Sequence, residues 1–171
     1  SLHDALPICL YDSMVRKIMM LLVGVLAMCG LTGCGGSDSQ EVIQPDVHTL
    51  SGKLTDGVKF EDSVEEISLE RALKYYGIDS SMVSDGDVYM STGATAEEMA
   101  VFEASSAGSA SVIFDRLTVR RDDSVKMYIG SKPADVSRLD NAVLYIHDNF
   151  VVYVVSDDSG AALGIIKEYL E

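Results

Sequence analysis

Three cysteines, three histidines and a few close acid pairs carry most of the reactive chemistry in this chain of 171 residues. Cys34 is the one whose neighbours specify a reaction. It follows Leu31-Thr32-Gly33, and the small pair before it lets an extended backbone enter a protease site. Its thiol is the nucleophile that transfer of a diacylglyceryl group requires, and cleavage before it would make it the first residue of the mature chain. Cys9 and Cys29 lie upstream, so the mature part has no second thiol. Disulfides, thiolate metal sites and a thiol nucleophile are therefore excluded there.

The other candidates are weaker. His48 and His147 are the only histidines after Cys34, and a metal site needs further close ligands beside them. Asp85-Gly86-Asp87 has the look of a calcium loop, but Val88, Tyr89 and Met90 stand where further oxygen ligands belong. It reads as a turn entering a strand, and no metal is expected. Asp85, Asp87 or Glu98 could serve a carboxylate hydrolase only if two of them met at a defined separation. No serine lies in a Gly-x-Ser-x-Gly elbow, and no phosphate-cradling glycine loop joins a strand to a helix. No cofactor is expected. Arg116, Arg120 and Arg121 form the one basic cluster, with Arg116 and Arg120 spaced i, i+4. Arg121 falls on or near an apolar stripe. The cluster is either a set of guanidinium groups snorkelling to nearby acids or a half-buried receptor for an anion. Six tyrosines, among them Tyr75, Tyr76 and Tyr128, would line either a groove or the core.

Positioning Cys34 is the task of what precedes it. Arg16 and Lys17 give a charged start, Ile18 to Met28 an apolar run, and small residues end it. The run is about 17 Å long as a helix, short of the ~20 residues that cross a bilayer. This is the secretory signal pattern. Residues 14–33 are thus expected to be a lipoprotein signal peptide, and 34–60 a lipid-anchored tether opening with Gly35-Gly36-Ser37-Asp38-Ser39-Gln40. Residues 1–13 read as an artefact of upstream translation, with Met14 the expected start. The net charge of −14 is unchanged without the leader, which carries two acids and two bases. That charge argues against nucleic acid and holds the domain off anionic headgroups.

Residues 61–171 are expected to form one α+β domain. Ser63-Val64-Glu65-Glu66 resembles a capping box, which predicts a helix over 64–76 stopped by Gly77. Strands are expected at 87–92 and 99–104, a long helix at about 108–129 and a further helical turn at 133–139. Residues 142–147 and 150–155 form a hairpin turning on Asp148-Asn149, and a last helix covers 159–170. The order α-β-β-α-β-β-α predicts a four-stranded antiparallel sheet of two hairpins. Its second hairpin, apolar on both faces, is placed at the centre. Strand 87–92 is placed where an edge could accept a partner strand.

Several stretches are familiar together: Tyr76-Gly77-Ile78-Asp79, Thr92 through Phe102, Arg121 through Tyr128, Leu139 through Val143, Asn149-Phe150-Val151 and Val155-Ser156-Asp157. With the Cys34 stretch, they resemble small uncharacterised lipoproteins of Gram-positive anaerobes that carry a domain of unknown function. The likeness covers most of 64–171. It implies membrane anchoring and no assigned activity. The expectation is a non-catalytic module on the outer face of the cell membrane. It would be joined to the bilayer through acylated Cys34 and would meet an envelope protein, a peptide or a small solute. A small extracytoplasmic hydrolase and a structural subunit are the alternatives.

Overall fold

The computed structural model describes residues 44–171. Cys34, the leader and the first part of the tether lie outside the described residues. Helix α1 (Val47–Gly57) comes first. Asp46 caps it, its carboxylate accepting the Thr49 N–H at 2.7 Å. Val47, Leu50 and Leu54 form one buried stripe at helical spacing. The folded unit therefore begins well before residue 61, and the expected tether is a helix over this stretch. The glycines at 52 and 57 disguise a pattern that packing completes.

Strand β1 (Val64–Ile67) pairs antiparallel with β2 (Val83–Ser91). Residues 64–67 were expected to be helical. Here tertiary pairing overrides a local capping pattern. The helix proper, α2 (Leu69–Tyr76), starts after Ser68, whose side chain makes no capping bond. Gly77 ends it as expected, at φ 66° in the left-handed region. A short 3₁₀ turn at Ser80–Met82 leads into β2.

Strand β3 (Glu98–Ala104) returns beside β2, and α3 (Ala107–Tyr128) follows. Ser106 caps α3, accepting the Ser109 N–H at 3.1 Å. Helix α4 (Pro133–Asp140) leads to the hairpin of β4 (Val143–His147) and β5 (Phe150–Val155), and α5 (Ser159–Leu170) closes the chain. Asp148 supplies the positive φ of the hairpin turn, 49°.

The sheet has five strands, not four, in the order β1-β2-β3-β5-β4, all antiparallel. Only β5 of the second hairpin is interior, and β4 is an edge. Residues 87–90 of β2 pair with β3, and 88–91 pair with β1, so this stretch is no edge. Period-two alternation sorts the strands onto two faces. Ala100, Phe102, Val151 and Tyr153 meet α2, α3 and α4 on one face. Met99, Val101, Val152 and Val154 meet α1 and α5 on the other. All six residues of β5 are buried. The Asp46 N–H donates to the Tyr169 hydroxyl at 3.1 Å, tying the start of α1 to α5. No helix among the described residues is long and apolar enough to cross a membrane.

Between Val83 and Asp85 the β2–β3 register slips at a bulge, and Gly86 follows. A Cβ on Gly86 would stand 2.5 Å from the Phe102 ring and 3.0 Å from Leu69 Cδ1. We expect Gly86→Ala to destabilise the domain by about 1–3 kcal/mol, since the fully buried Phe102 ring has no room to move away. Urea denaturation checks this, with a lower midpoint and an unchanged slope.

Candidate functional site

Glu98 opens β3 on the face covered by α2 and α3. Its side chain is 4 % exposed, so a charge there needs donors. Tyr76, at the end of α2, donates its hydroxyl to Glu98 Oε1 at 2.6 Å. Arg120, on α3, donates from Nη2 to Oε2 at 2.8 Å. The Arg120 guanidinium also lies 4.6 Å from the centre of the Tyr75 ring. Tyr76 in turn packs edge-on against Phe102. Burial, then the neighbouring carboxylate, raises the Tyr76 pKa well above the ordinary range, so it remains a proton donor. Burial opposes the charge on Arg120, but the Glu98 charge overrides it and the guanidinium pKa is raised. The buried Tyr153 hydroxyl finds no hydrogen-bond partner among the described residues.

This cluster borders a cleft of about 130 Å³, with Tyr75, Tyr128, Ser91 and Thr95 among its walls. The volume is below the roughly 300–1,000 Å³ of sites for whole small molecules. It suits the end of a peptide or the head group of a solute. Larger hollows lie between α1 and α5, about 360 Å³, and beside Phe60 and Asp157, about 520 Å³. The cleft differs from them in having at its wall an ion pair of which both members are largely withdrawn from water, whereas Glu61 and Asp157 at the larger of the two hollows are exposed. Lys132 stands 5.2 Å from the centre of the Tyr128 ring and donates to the Ala94 carbonyl at 2.7 Å, holding the rim.

The next carboxylate, Glu97, accepts the Glu61 and Asp62 N–H groups, each at 2.8 Å, and the Thr95 hydroxyl at 3.1 Å. Desolvation raises its pKa, and the Asp62 N–H opposes that shift. Asp135 on α4 accepts the Ala96 N–H at 2.9 Å and Arg138 Nη1 at 2.9 Å. Arg138 Nη2 also reaches Asp157 at 2.8 Å and pairs with Glu61. Sequence reading missed Arg138. Its one local signal was the i, i+3 spacing from Asp135.

Of the three arginines singled out by sequence, only Arg120 borders the cleft. Arg121 pairs with its neighbour Asp122 at 2.8 Å, and Arg116 is exposed on α3. The cluster does not converge. Asp85 and Asp87 share one face of the sheet and Glu98 lies on the other, so Glu98 pairs with neither. The two aspartates face His48 of α1 instead. His48 Nδ1 lies 2.9 Å from an Asp87 oxygen, and Nε2 lies 3.3 Å from Asp85. The histidine expected in a tether is thus a clasp between helix and sheet. His147 lies 3.7 Å from Asp148 at the hairpin turn. No group of three or more potential ligands with metal-binding geometry occurs among the described residues.

Residues 57–156 match the family described as "Domain of unknown function (DUF4358)", more than half of the chain. No curated protein and no solved structure matches it.

Two outcomes follow from these contacts. Glu98→Ala strands a guanidinium that keeps 20 % of its surface in water, and we expect a loss of about 3 kcal/mol, the low end for a broken buried pair. Adding Arg120→Met should recover part of that loss in the same urea titration. For His48, the bond to Asp87 and the charges of Asp87 and Asp85 raise the pKa. The clasp therefore stabilises fully below the unfolded value of about 6.5 and fades as pH rises through the raised folded value. The stability gap between the native chain and His48→Gln should be larger at about pH 6 than at about pH 9.

Proposed function

Given that the chain belongs to the DUF4358 family, a group without an assigned activity, we propose that it is a lipid-anchored, extracytoplasmic binding module of the cell envelope. The observation that carries this reading is Leu31-Thr32-Gly33-Cys34, set after a charged start and an apolar run too short to span a bilayer. The glycine- and serine-rich stretch from Gly35 supports it, since a folded domain on an acylated terminus needs a spacer. Acyl chains on the Cys34 sulfur confine the domain to a thin layer at the outer face of the membrane. There, weak contacts with other membrane-bound molecules gain from a raised effective concentration. The charge of −14 keeps the domain off anionic headgroups.

Within the domain, the cleft at Arg120 is the place for the end of a peptide or a small solute. Glu98 neutralises Arg120, so recognition there runs through directed hydrogen bonds and the tyrosine walls, not through net charge. Glu98 lies across the sheet from Asp85 and Asp87, and those two are engaged by His48 in the contact of α1 with the sheet, which favours binding over a carboxylate hydrolase.

The anchor is tested by growing cells that express the chain with a labelled palmitate analogue. The native chain should take up label and partition with membranes, and Cys34→Ala should take up none. Equal labelling of the variant, or a native mature protein with a bare sulfur by mass spectrometry, would overturn the reading.

A further inference from the structure

The sheet ends in two outer strands that are protected very differently. β1 carries Glu65 and Glu66, both exposed, and charges on an edge discourage further pairing. β4, Val143-Leu144-Tyr145-Ile146-His147, carries no carboxylate, lysine or arginine. Its one neighbour in the sheet is β5, so the N–H and C=O groups that point away from β5 have no partner strand among the described residues. Ile146 is 41 % exposed on this edge. The surroundings of the edge are acidic: Asp140 is exposed just before it, the Asp148 side chain is 90 % exposed just after it, and the Glu171 carboxylate receives the Tyr145 hydroxyl.

We propose that the outer edge of β4 is a docking edge that takes an extended, basic-ended peptide segment as a sixth strand. The backbone ladder supplies affinity, and the apolar side chains of β4 favour apolar residues on the incoming strand. The acidic rim selects lysine or arginine at the ends of the segment. The same rim disfavours a second copy of this chain, which in an antiparallel pairing would bring Asp140 of one copy towards Asp148 of the other. The inference rests on the reading of the domain as a binding module and needs nothing from the lipid.

The test uses the full chain in detergent and two synthetic peptides alternating Val and Thr, one ended by Lys and one by Glu. Amide hydrogen exchange is followed residue by residue. The Lys-ended peptide should slow exchange at 143–147 by about tenfold, while the Glu-ended peptide leaves it unchanged. Ile146→Lys should abolish the protection without unfolding the chain, because the side chain is already partly in water. Asp148→Asn, which tolerates the same left-handed turn, should weaken it. Equal protection by both peptides, protection by neither, or protection confined to β1 would overturn the proposal. The separate labelling experiment at Cys34 reports on the anchor, so either result can fail while the other stands.

Discussion

A carboxylate withdrawn from water must be met by donors, and two adjacent carboxylates at the start of β3 meet that demand from different parts of the chain. Glu98 draws in the end of α2 through Tyr76 and the middle of α3 through Arg120. Glu97 collects the backbone N–H groups that lead towards β1. Neither set of donors is near in sequence. The pair therefore fixes where two helices and an edge strand sit relative to the central strand. Each contact is individually replaceable by water only if the carboxylate is exposed, and neither is.

The sheet depends equally on being covered twice. β5 and most of β3 are buried on both faces, an arrangement more usual for parallel sheets. The span that matches the family ends at Ser156 and begins at Gly57. It takes in all five strands and the helices of one face. It omits all but the last residue of α1 and all of α5, which bury Met99, Val101, Val152 and Val154. A chain limited to the matched span would leave that apolar face in water, so the folding unit is larger than the family match.

What sequence disclosed and what it hid divide along locality. The β4–β5 hairpin, the α3 stripe and α5 are written in runs that need no distant partner, and their bounds were legible to within a residue or two. β1 was not, because four residues with two glutamates acquire strand geometry only by pairing with β2. α1 was hidden by glycines inside an apolar pattern whose partner surface lies far downstream, on the sheet and on α5. Arg120 was visible as a candidate, but its partner Glu98 is 22 positions away, so its role as one half of a buried pair was not. Arg138 collects acids from β1's approach, its own helix and the end of β5, and no single stretch announces that.

The bond between Asp46 and Tyr169 brings both ends of the folded unit to one corner. Tension arriving from the N-terminal side therefore loads the contact of α1 with α5 before it reaches any strand. A helix held by side-chain packing and a few polar contacts yields more readily than the hydrogen-bonded ladder of β2, β3 and β5. The first mechanical failure would then be the lifting of α1, uncovering the Met99 and Val101 face while the opposite half of the domain stays assembled.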